Sequence, residues 1–236
     1  MKFFASILLL CLVIAPVALS QSNEATIEQA GDGNEAEVYQ LGDSNSLVLD
    51  QVGSHDAMIE QAGADNTATI NQWAGVQNSS EGASDVYLAQ SGYGNSAGIE
   101  QSGEHIAEIG QSGTSNTVLL TQAKSNSTVS SLGEEYGNGA FALLMQHGVG
   151  NDIMLAQNGS HYASISQNGS QNEATVLQDG LDLAHIARIE QQGQGNSAVV
   201  EQFGGNNSVL VRQTGNGHSA HIEQSGYGNH ATVIQN

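Results

Sequence analysis

From about residue 21 onward, apolar and amide side chains alternate with charged, hydroxylated or small ones at a period of two, and the alternation restarts about every eleven residues. Such a period places successive side chains on opposite faces of a strand and excludes the 3.6-residue spacing of an amphipathic helix. The repeated unit reads Asn-x-Ala-x-Ile-x-Gln-x-Gly. It begins at Asn23, Asn34, Asn45, His55, Asn66, Ser84, Asn95, His105, Asn116, Asn126, Ala140, Asn151, His161, Asn172, His185, Asn196, Asn207, His218 and Asn229, about nineteen times. Its seventh position is Gln29, Gln40, Gln51, Gln61, Gln72, Gln90, Gln101, Gln111, Gln122, Gln146, Gln157, Gln167, Gln178, Gln191, Gln202, Gln213, Gln224 and Gln235, the one exception being Leu132.

Glycines and short polar residues follow each unit, as in "GDGN", "GTSN" and "GQGN", and mark tight turns. Each unit is therefore one short strand plus a turn, and two units of roughly 22 residues suit one coil of a β-solenoid. The expected fold is all-β, with about nineteen strands in two facing parallel sheets. An antiparallel meander shares the period, but leaves the glutamine face without a matching layer. In a solenoid the sheets lie ~10 Å apart and equivalent residues recur every ~4.8 Å, so each Gln meets another above and below. Longer linkers at "WAGVQNSSEGASD" (73 to 85), "EEYGNG" (134 to 139) and "DGLDL" (179 to 183) read as loops bulging from a coil, because the repeat resumes its phase after each.

Inward Ala, Ile, Val and Leu form a thin core, and burying an unpaired amide beside them costs ~1–3 kcal/mol. A column of stacked amides removes that cost, since each has donors and an acceptor. The glutamines, with Asn23, Asn34, Asn45, Asn66, Asn95, Asn116, Asn151, Asn172, Asn196, Asn207 and Asn229, form the candidate ladder. The first and last units resemble interior rungs, so both ends of the solenoid are expected to be uncapped and open to stacking of further chains.

The first twenty residues, MKFFASILLLCLVIAPVALS, have a lysine, an apolar run and small residues at Ala18 and Ser20. They read as a secretory signal peptide, with 21–236 as a single repeat domain. Cys11 and Pro16, the only cysteine and proline, lie inside it. The remainder has no disulfide and no proline to interrupt cross-β pairing. Without Lys2 the chain carries three basic residues against 24 acidic ones, a formal charge of −21. Nucleic acid is thereby excluded as a partner. Glu28, Glu60, Glu100, Glu190, Glu201 and Glu223 each precede a ladder glutamine on the opposite face. Their repulsion is expected to keep free chains soluble and to slow assembly.

The phrase resembles the curlin repeat of curli amyloid fibre subunits, roughly Ser-x5-Gln-x-Gly-x2-Asn-x-Ala-x3-Gln. Gly92, Asn95, Ala97 and Gln101 match its second half, as do Gln202, Gly204, Asn207 and Gln213. The leading Ser is mostly Asn or His here, the units are more numerous, and the first begins almost directly after the leader. The resemblance implies a secreted structural subunit, major-subunit-like, that polymerises on the surface of a Gram-negative bacterium into adhesive biofilm fibres. It also implies an export pore, periplasmic chaperones and a nucleating subunit as partners. A minor nucleator of the same fibre and a soluble monomeric solenoid adhesin are the alternatives.

Five histidines (His55, His105, His161, His185 and His218) occupy the Asn position and read as polar ladder substitutes, with His161 and His185 on adjacent rungs. No metal or other cofactor is expected. Outward acids lack a recurrent pair, and no catalytic triad spacing, phosphate loop or HExxH motif occurs, so the chain reads as no enzyme. "AFALLMQ" is apolar on both faces; its outward Phe141, Leu143 and Met145 are either a lateral contact or a surface covered by the neighbouring loop.

Overall fold

The computed structural model describes residues 22–73, 83–123, 139–180 and 183–236. These form two nine-stranded sheets. The first contains β1 (Glu24–Ala30), β3 (Ser46–Val52), β5 (Thr67–Trp73), β7 (Ser96–Ser102), β9 (Thr117–Ala123), β11 (Asp152–Asn158), β13 (Glu173–Asp179), β15 (Ser197–Gly205) and β17 (Ser219–Tyr227). The second contains β2 (Glu35–Asp43), β4 (Asp56–Ala64), β6 (Asp85–Tyr93), β8 (His105–Thr114), β10 (Ala140–Val149), β12 (Tyr162–Ser170), β14 (Ile186–Gln194), β16 (Ser208–Asn216) and β18 (His230–Gln235).

Consecutive strands alternate between the sheets, and every pair of neighbours within a sheet is parallel and in register, as in β7 with β9, where Ile99 faces Leu120 and Gln101 faces Gln122. This is a β-solenoid, and the meander is excluded. It has 18 described strands rather than nineteen; the unit expected at Asn126, with Leu132, lies outside the described residues, as do most of the three expected loops.

Alternation in the sequence becomes alternation in burial. In β5, Ala68, Ile70 and Gln72 are buried while Thr67, Thr69 and Trp73 are exposed. The first inward position is mostly Ala and the second Ile, Leu or Val, so a narrow apolar layer runs along the axis beside a layer of glutamine. At the outermost coils Ile27, Ala36, Val38, Ala231 and Val233 are only partly buried, because no further rung covers them. The corners are equally tight. Gly92 has φ +112°, and a Cβ there would land on the Gly113 carbonyl oxygen of the next coil.

Candidate functional site

The glutamine side chains form two continuous columns, one per sheet. In the first sheet Gln29 Nε2 donates to Gln51 Oε1 at 2.7 Å, and the chain of bonds continues through Gln72, Gln101, Gln122, Gln157, Gln178 and Gln202 to Gln224. In the second it runs from Gln40 through Gln61, Gln90, Gln111, Gln146, Gln167 and Gln191 to Gln213 and Gln235. Every bond points the same way, from the earlier coil to the later.

Every ladder glutamine from Gln40 onward also ties the two sheets together with Nε2. Gln61 donates to Ser46 O at 3.1 Å and Gln111 to Ser96 O at 2.9 Å, both carbonyls at the start of a first-sheet strand. Gln51 donates to Glu35 O at 3.3 Å in the reverse sense. Both N–H groups and the oxygen of an interior glutamine are thus used, which is what allows side chains such as Gln51, Gln72 and Gln101 to be fully buried.

The Asn positions split into two unlike columns. At the corner leading into the first sheet stand Asn23, Asn45, Asn66, Asn95, Asn116, Asn151, Asn172 and Asn196, followed by His218. From Asn45 onward each Nδ2 donates to the Oδ1 of the preceding coil, as from Asn45 to Asn23 at 3.1 Å and from Asn116 to Asn95 at 2.9 Å. The same Oδ1 accepts the backbone N–H of the next corner residue. This column therefore donates in the opposite direction to the glutamines. Nδ2 also reaches a corner glycine carbonyl, for example Asn95 to Gly113 O at 3.2 Å, locking the turn.

The other corner holds Asn34, His55, Ser84, His105, Ala140, His161, His185, Asn207 and Asn229. Only Asn207 and Asn229 make an amide pair there, at 3.0 Å. Asn34 Oδ1 instead accepts the His55 backbone N–H, so it does not stack on its own kind. The histidines are more than substitutes. His55, His105 and His161 each stand four residues after a ladder glutamine, whereas Asn45, Asn66, Asn95 and Asn116 stand five after theirs. In the shorter turn the larger ring reaches a carbonyl three residues back, Val52 O from His55 at 3.1 Å and Asn158 O from His161 at 2.9 Å. Asparagine reaches one four residues back, as Asn66 does to Ala62 O. The Gln-to-His spacing is a signal present in the sequence that the reading of His as an Asn replacement passes over.

Both ring nitrogens are then committed. Nδ1 accepts the backbone N–H of the next coil, His185 N–H to His161 at 3.1 Å and Asn207 N–H to His185 at 3.2 Å, so Nε2 carries the proton. The rings of His161 and His185 stack at 4.7 Å. Burial, reinforced by neighbouring His185, lowers the His161 pKa to about 4. Burial also lowers His55 and His185. No nitrogen lone pair of His161 is left for a metal, and no group of three metal-ligating side chains occurs among the described residues.

On the outer face of the second sheet, Phe141 and Leu143 are half-buried and Met145 is exposed. Phe141 stacks on Tyr162 at 5.5 Å, and the Arg188 guanidinium lies 5.6 Å from the Tyr162 ring centre. Met145 lies over Gly110, where a Cβ would meet its sulfur at 2.7 Å. The "EEYGNG" loop, one of the two alternatives for what meets them, lies almost wholly outside the described residues.

The sequence model described as curlin associated repeat matches residues 21–53, 162–183, 187–215 and 206–236. No curated protein matches the chain.

Proposed function

Since the chain belongs to the curlin-repeat family, a family of structural fibre subunits, we propose that it is the bulk subunit of a curli-type amyloid fibre and that it assembles by stacking solenoid ends. The observation that carries this reading is the state of the glutamine columns where they stop. Among the described residues no donor reaches Oε1 of Gln29 or Gln40, whereas every later ladder glutamine accepts from its predecessor. At the other end Gln224 and Gln235 each use one N–H, on Ser208 O and Ser219 O, and keep the second. The outer edges of β1, β2, β17 and β18 pair with no strand among the described residues. Unsatisfied edges of this kind template further strands.

In this reading residues 1–20 direct secretion, 21–236 form the assembling domain, and the ladder glutamines and asparagines are the assembly residues. The fibre stands on the surface of a Gram-negative cell and serves adhesion and biofilm cohesion. An export pore, periplasmic chaperones and a nucleating subunit act with it. The function is structural and not enzymatic, with no cofactor, and Phe141, Leu143 and Met145 offer a lateral contact between fibres. Incubating the purified protein with an amyloid dye, followed by fibre diffraction, tests the proposal. Dye-positive fibres with a reflection near ~4.8 Å are expected; a persistent monomer overturns it.

A further inference from the structure

Met145 and His147 stand two residues apart on β10, and both point out from the second sheet. We propose that they form a binding site for a soft monovalent metal ion, Cu(I) or its analogue Ag(I), held between Met145 Sδ and His147 Nε2 and braced by Ser112. The ion is a captured ligand and not a cofactor of the fold. The site needs the solenoid register of a single chain, whether or not fibres form.

Three strands in register build it. Gly110 and Ser112 of β8 lie on the rung before Met145 and His147, and Ser166 and Asn168 of β12 lie on the rung after. All of them line one cleft of about 370 Å³ on the outer face. Gly110 has no side chain, which lets Met145 fold down over β8 with its sulfur 2.7 Å from where a Cβ would stand. His147 leans toward the same strand, with Nδ1 2.7 Å from Ser112 Oγ. When Nδ1–H donates to that oxygen the lone pair is on Nε2, which meets no hydrogen-bond partner among the described residues. One ring nitrogen held by an outer partner and the other free is the arrangement of a metal-ligating histidine. The buried corner lacks it, since both ring nitrogens of His161 are already used.

The donor set selects the ion. A thioether is a soft ligand that favours Cu(I), whereas magnesium, calcium and manganese take carboxylate, carbonyl or water oxygens. No carboxylate lines this cleft among the described residues. The other described methionines have acids and no imidazole beside them on their own faces, Met58 between Asp56 and Glu60 and Met154 between Asp152 and Ala156. Closed-shell monovalent ions accept low coordination numbers, so a sulfur and a nitrogen suffice, and the Asn168 amide stands on the next rung as a further donor. The formal charge of −20 concentrates cations at the surface in general.

Silver, which stays monovalent in air, is the probe, and every chain carries Cys11→Ser so that no thiol competes. Calorimetric titration of fresh monomer with Ag(I) is expected to show one ion bound per chain, with affinity lowered about tenfold or more in Met145→Leu and in His147→Gln. Ser112→Ala is expected to lower it about tenfold, because Ser112 lies 35 residues from His147 and reaches it only through the folded register. Met154→Leu and His221→Gln, exposed on the first sheet, should bind as the parent does. Nitrogen NMR should place the ion on His147 Nε2 and not on Nδ1. All five changes are on outer faces, and an unchanged urea midpoint for each separates lost binding from lost folding. A parent chain that binds no Ag(I), or a Met145→Leu or His147→Gln chain that binds as tightly as the parent, overturns the site. Undiminished affinity in Ser112→Ala overturns the brace.

Discussion

Acid should loosen the histidine corner before it affects the asparagine corner, and His161 gives the size of the effect. Its ring holds the fold only as the neutral Nε2–H form, because Nδ1 must accept the His185 N–H. The folded pKa is about 4, against an ordinary value of 6.5. With the folded value depressed, the neutral form's stabilisation is complete above 6.5. As pH falls the unfolded chain takes up the proton first, so stability is lost down to about 4 and no further below it. At 1.36 kcal/mol per pH unit the whole loss is ~3 kcal/mol, with ~2 kcal/mol gone by pH 5. The assay is hydrogen exchange at the His185 amide and urea unfolding of fresh monomer between pH 7 and 4, compared with His161→Asn. Asp85 and Asp152, whose pKa values burial raises, gain stability in the same interval, and the comparison cancels them. The slope should be flatter in the variant. Parallel pH profiles for both chains would refute the reasoning.

Gln101→Ala should destabilise by ~1–3 kcal/mol in urea unfolding, because it strands the Gln72 donor and the Gln122 acceptor in a buried column. The adjacent outward Glu100→Ala should change stability by less than ~0.5 kcal/mol, and equal effects would deny the column a role. Gly92→Ala should cost more than ~2 kcal/mol of thermal stability and Gly195→Ala only ~1 kcal/mol. Both need positive φ, but only the first would strike a backbone atom of the next coil. Added salt should accelerate fibre growth, since Glu28 with Asp50, Asp152 with Glu173, and Glu201 with Glu223 are stacked in register. Rates independent of ionic strength would show that this repulsion does not limit assembly.

The coil architecture was legible because one residue type at one period carries it. Gln101 and Gln111 each occupy an inward position, and only a stacked partner satisfies a buried amide. The direction of the bonds was not legible, since an amide can face either way along a column and the neighbouring carbonyls, such as Ser96 O for Gln111, decide it. The corner difference was present in the four-residue spacing from Gln101 to His105, but its meaning needed the reach of the ring to Ser102 O at 2.9 Å. Outward residues such as Phe141 and Tyr162 lie 21 positions apart and join only through the register of β10 with β12.

Alternation of unlike corners also restricts how this gene can change length. Removing residues 95–115 would join Gly94 to Asn116 and delete one whole coil, leaving every later strand in its own sheet. Removing a single unit would transfer all that follows to the opposite sheet, stacking the five-residue asparagine turns of one column on the four-residue histidine turns of the other. Viable insertions and deletions should therefore come in steps of two units, and a lineage of such proteins should differ in length by coils.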